Sequence, residues 1–71
     1  MSLGEQLNGA KLVRYDERTE LTFAWYGGHG VHVYADTGEE IDFFNAGDFA
    51  EDSASEGQII AAIKEKEVEY C

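Results

Sequence analysis

Seventy-one residues carry fifteen acidic side chains against five basic ones, a net charge of −10, with 13% aromatic residues and no proline. The length supports one domain, spanning residues 1–71, and surface scaling buries roughly 60% of its surface on folding. A field of this sign repels phosphate backbones and anionic lipid, so direct binding to nucleic acid or membrane is not expected.

Residues 1–10 show no periodic pattern and are expected to be irregular, with Met1-Ser2-Leu3 read in part as a cloning remnant. No basic segment leading into an apolar one opens the chain, and its one cysteine, Cys71, is the last residue. A signal peptide, a disulfide framework and a cysteine metal site are therefore not expected, and the cytosol is the expected compartment.

From residue 11 to 44 the pattern has period two. It predicts strands over 11–15, 20–26, 31–35 and 39–44, with alternating faces. The facing of the first strand is ambiguous. In the second, Leu21, Phe23 and Trp25 share one face; in the third, Val31 and Val33 point in while His32 and Tyr34 point out. In the fourth, Ile41 and Phe43 are expected in, and Glu40, Asp42 and Phe44 out. The connections agree. Asp16-Glu17-Arg18-Thr19 suits a four-residue loop, Gly27-Gly28-His29-Gly30 tolerates positive φ, and Asp36-Thr37-Gly38 matches a type I turn followed by a glycine bulge. Loops this short require antiparallel neighbours, hence a four-stranded meander.

After Phe44 the period changes. Asp48-Phe49-Ala50-Glu51 suits one capped turn, and Ser53-Ala54-Ser55-Glu56 reads as a capping box opening a helix over about 54–66. Ile59, Ile63 and Tyr70 fall in one narrow apolar sector, widened by Ile60. Val68 falls opposite that stripe, which predicts that 67–70 are extended. The expected fold is α+β (ββββα), an antiparallel meander with one C-terminal helix on one face. The expected core is Leu21, Phe23, Trp25, Val31, Val33, Ile41, Phe43, Ile59, Ile60 and Ile63.

Motifs that could carry chemistry are weak. Asp36-Thr37-Gly38 resembles the aspartic-protease loop, which needs two carboxylates sharing a proton and a small residue where Glu39 stands; a tight turn accounts for the triplet. The glycines at 27–30 lack the lysine and following helix of a phosphate loop. His29 and His32 have a His-x-x-His spacing without further ligands in a recognisable pattern. Glu40 and Asp42 are expected on one strand face, about 7 Å apart, a separation that glycosidases use but with no cleft implied. No catalytic residue, metal site or cofactor is expected.

The charge is uneven. Residues 1–35 have a net charge of −1 and residues 36–71 a net charge of −9, and 36–56 contain eight acids and no base. One helix covers only one side of a four-stranded sheet, so the other side is expected to present aromatics ringed by acids, a composition typical of an interface. The candidate protein-binding residues are Tyr26, His32, Tyr34, Asp36, Glu39, Glu40, Asp42 and Phe44. The expected function is a small acidic module that binds a protein partner with a basic surface. The alternatives are a structural homodimer through the same face, a salt-adapted domain, a solvated self-repelling surface with no particular partner, an inverted facing of the sheet, or loop or N-terminal residues such as Leu3 and Leu7 folding over that face. No motif identifies a family. Size, acidity and the meander-plus-helix layout are similar to those of phage-encoded accessory proteins, including nucleic-acid mimics, and this resemblance assigns no residue.

Overall fold

The computed structural model describes residues 7–47, 50 and 52–70. Leu3, the turn expected over 48–51 apart from Ala50, and Cys71 lie outside the described residues. The order is β1 (Leu12–Asp16), β2 (Leu21–Trp25), β3 (Gly30–Tyr34), β4 (Glu40–Asn45) and α1 (Glu56–Glu69). The strands form one antiparallel sheet in sequence order, the expected meander. Each connection has a local cause. Asp16 caps the first loop, its carboxylate accepting from the Arg18 N–H at 3.2 Å and the Thr19 hydroxyl at 2.8 Å. In the third, Gly38 takes φ +95° and its N–H donates to the Ala35 carbonyl at 2.9 Å, the turn with glycine bulge that the sequence predicts.

That third turn would set β4 in the expected register, with Ile41 opposite Val33 and Phe43 opposite Val31. The chain departs from it one pair later. Tyr34 pairs with Glu40, but Val33 pairs with Asp42, so Ile41 has no direct partner. Beyond this bulge Val31 lies opposite Phe44 and His32 opposite Phe43. Paired residues in a sheet share a face, so one skipped residue reverses the facing of the strand after it. Ile41 and Phe43, expected in the core, are each 48% exposed on the side away from α1. Phe44, expected outside, packs against the core with its ring edge-on to Phe23, and Asp42, also expected outside, accepts a hydrogen bond from the Tyr70 hydroxyl.

Two compensations make the shifted register favourable. Phe44 enters the cluster of Leu21, Phe23, Trp25, Val31, Val33, Ile59 and Ile63. On the opposite side the Phe43 ring lies over Gly30, where a Cβ would come within 2.6 Å of it. A glycine at that position gives the ring a floor on the strand backbone.

The helix also differs from its expected span. Its N-cap is Ser55, not Ser53: the Gln58 N–H donates to Ser55 Oγ at 3.2 Å, while Gln58 Oε1 accepts from the Ser55 N–H at 2.9 Å. The capping box thus opens two residues after Ser53, with Gln58 rather than Glu56 returning the bond. The helix continues through Glu69 rather than stopping near Lys66. Glu67 sits on the buried stripe at the i+4 position from Ile63, where it accepts from Arg14 Nε of β1 at 2.7 Å. Val68 stays outside, 69% exposed, and Ile60 is half-buried rather than central. At the far end of the sheet, the Gly28 carbonyl accepts from both Trp25 Nε1 at 3.1 Å and the Ala54 N–H at 2.8 Å, tying the second hairpin to the segment that enters α1.

Candidate protein-binding face

The alternation of each strand and its register define the sheet face that α1 leaves uncovered. β1 contributes Val13 and Tyr15, and β2 contributes Thr22 and Ala24, with Tyr26 just beyond its end. β3 contributes Gly30, His32 and Tyr34; β4 contributes Glu40, Ile41 and Phe43. The middle of the face is a floor of buried Thr22, Ala24 and Tyr34, and its flanks stand proud. Val13 is 47% exposed and Tyr15 52% exposed, comparable with Ile41 and Phe43 on the opposite flank.

His32 is the hub of this face. Its Nδ1 donates to the Glu40 carboxylate, which fixes the ring orientation. The imidazole meets Phe43 edge-on at 4.9 Å between centroids and Tyr26 edge-on at 5.2 Å, and lies nearly parallel to Tyr34 at 6.2 Å. The hydroxyls of Tyr26 and Tyr34 share a 3.1 Å hydrogen bond. Burial, then this bond, pushes the Tyr34 hydroxyl well above the usual tyrosine range.

Of the residues expected to bind, Tyr26, His32, Tyr34 and Glu40 are brought together here. Asp36 and Glu39 are exposed in the adjoining turn. Asp42 and Phe44 are not on this face: the bulge turns both towards α1. The Tyr70 hydroxyl, and after it the Phe43 N–H, hold the Asp42 carboxyl below its ordinary value. Burial and then Asp42 raise Tyr70 to about 12. Lys66 Nζ lies 5.3 Å from the centre of the Phe44 ring. Val13, Tyr15, Ile41 and Phe43 replace them as the exposed apolar members. The signal for the β1 pair in the sequence is the alternation of Val13 and Tyr15 with Arg14.

The same geometry bears on the chemical motifs. Glu40 and Asp42, expected side by side, lie on opposite faces of the sheet. Asp36-Thr37-Gly38 forms the hairpin turn. His29 Nδ1 donates to the Ala46 carbonyl at 2.9 Å, whereas His32 engages Glu40, so the two imidazoles serve different parts of the fold. Among the described residues, no three metal-ligating side chains converge and no helix is long and apolar enough to cross a membrane. Comparison with family models, with curated proteins and with solved structures finds no match to this chain.

Proposed function

We propose that this protein is a small acidic protein-binding module with no catalytic role, which docks through its uncovered sheet face on a basic surface of another protein. One observation carries the reading: four large apolar side chains, Val13, Tyr15, Ile41 and Phe43, stand about half exposed on the one face that the helix does not cover. Leaving such groups in water forgoes burial worth about 25 cal/mol per Å², which docking would recover. The eight unbalanced acids of residues 36–56 set the sign of the partner, since opposite potentials speed encounter and fix orientation. A basic nucleic-acid-binding site on a protein is a surface of this kind.

The reading is tested by affinity capture at physiological ionic strength, comparing the wild type with Tyr15→Ser/Phe43→Ser and with Glu39→Lys/Glu40→Lys. A basic protein retained by the wild type and lost from both variants supports it. Equal recovery by all three sinks it. Sedimentation of the purified chain addresses the alternative: a tight dimer abolished by Tyr15→Ser/Phe43→Ser would make the face a self-association surface. Acids repel across a two-fold axis, which favours a different partner.

A further inference from the structure

We infer that the His32–Glu40–Phe43 cluster is a receptor for an arginine side chain of the partner; this rests on the protein-binding reading above and names the group that anchors it. The cluster combines the two elements that a guanidinium uses. Glu40 supplies an exposed carboxylate, its side chain 46% accessible, with one oxygen held by His32 Nδ1 and the other unengaged by that bond. Phe43 supplies a half-exposed ring in contact with the same imidazole. His32 thus holds the carboxylate and the ring on one small area of the sheet, and acts as the positioning residue.

The charge of the chain leaves this carboxylate available. Among the described residues, Arg14 is paired with Glu67, Arg18 with Asp16 and Lys66 with Glu69, and neither a lysine nor an arginine is paired with Glu40. The adjoining turn adds exposed Asp36 and Glu39, so a cation approaching this edge meets potential of one sign. A planar guanidinium can donate to a carboxylate through one edge while its face rests on an aromatic ring. A lysine ammonium, more strongly hydrated and without a flat face, satisfies only the first. A divalent cation is the weaker fit, because no third ligand joins His32 and Glu40 among the described residues.

The test uses two synthetic peptides of equal length, glycine-serine spaced, one with six arginines and one with six lysines. Each is titrated into the isotope-labelled protein at physiological ionic strength and followed by amide shifts and calorimetry. The expected result is about fivefold or tighter binding of the arginine peptide, with the largest shifts at 32, 40 and 43. That preference should vanish in Glu40→Gln and in Phe43→Leu, both exposed positions whose variants retain the wild-type circular dichroism. Equal affinity for the two peptides overturns the arginine receptor while leaving a basic partner in place. An arginine preference that survives both substitutions places the receptor elsewhere and also overturns it. Binding of neither peptide overturns the receptor and the basic-partner reading together.

Discussion

The two faces of the sheet are built from the same alternating strands, yet they end in opposite conditions. On the covered side Phe23, Val31, Val33, Ile59 and Ile63 are completely buried, and the polar groups that share this side are paired: Asp16 with its own loop, Glu67 with Arg14, Asp42 with Tyr70. On the uncovered side the apolar groups at the flanks stay half in water, and the principal polar contact, His32 to Glu40, is exposed. Hydrophobicity alone does not separate the two sides. Ile41 and Phe43 are as apolar as anything buried, and what excludes them from the core is one skipped residue opposite Val33 and Tyr34. A sheet face is therefore assigned by register, and register by local geometry as much as by pattern.

The sharpest break of that comparison is a pair of truncations. Phe23→Ala empties a fully buried site and should cost about 3–5 kcal/mol, a large part of the roughly 4–10 kcal/mol expected for a chain of this length. Phe43→Ala, on the other face, should cost about 1 kcal/mol or less, because half of that ring is already in water. Urea melts of the two variants measure the contrast, and equal losses would mean that both faces are core. Gly30→Ala comes next. Its new Cβ would lie 2.6 Å from the Phe43 ring, so the ring must swing off the strand, at about 1 kcal/mol given its freedom to move. In Phe43→Ala the obstacle is gone, and Gly30→Ala should then cost less than in the wild type. Strict additivity would place the ring elsewhere and undo the assigned register of β4.

Much of this architecture was readable in the residues. Alternation over residues 11–44, loops too short for a crossover and the 59–63 stripe suffice for ββββα, because each is a local signal that agrees with the global fold. The face of β4 was not readable, for a physical reason. Its two settings exchange Ile41 and Phe43 for Asp42 and Phe44, and the balance lies in contacts distant in sequence: Tyr70 for Asp42, Phe23 for Phe44, Gly30 beneath Phe43. The helix end failed likewise. Glu67 reads as a surface acid until Arg14, 53 residues away, supplies its partner.

The Asp42–Tyr70 bond sharpens the comparison through pH, because it belongs to the covered face alone. Asp42 is held below its ordinary value, as is Asp16 by the Thr19 hydroxyl. Each therefore stabilises the fold fully above the unfolded value of about 3.9, and that contribution is lost as pH falls through the native one. Tyr70 is raised to about 12, so its contribution is complete below about 10 and is lost between there and about 12. Tyr70→Phe should destabilise the protein at neutral pH, and the gap from wild type should narrow both below pH 4 and above pH 10. Denaturant melts across that range test it. A gap that is constant with pH would mean that the two groups are not coupled in solution. Glu40→Gln, on the uncovered face, is the control that should leave both Tyr70-dependent changes in place.

The smallest expected effect is the response to salt, and it separates a surface kept acidic for a partner from one adapted to brine. The covered face leaves salt little to screen, since its ionised groups are already paired or hydrogen-bonded at short range. The unbalanced charge lies outside the core, in the exposed acids that flank the open face and lead into α1, including Asp36, Glu39, Asp52 and Glu56. Their mutual repulsion acts over distances that about 0.15 M salt already screens, the Debye length there being about 8 Å. The domain should accordingly be fully folded at about 0.15 M, and sodium chloride at about 1 M should raise its Tm by only a few degrees. A halophilic design behaves otherwise, weakly folded in dilute buffer and stabilised steeply towards molar salt. Thermal melts by circular dichroism at the two concentrations decide between them, with sodium sulfate kept out because it strengthens apolar burial independently of charge. Glu39→Gln/Asp52→Gln completes the test: if the acids serve recognition, neutralising two of them should leave the Tm nearly unchanged, or slightly higher at low salt. If they hold the fold together in brine, the same substitutions should cut the salt-dependent gain.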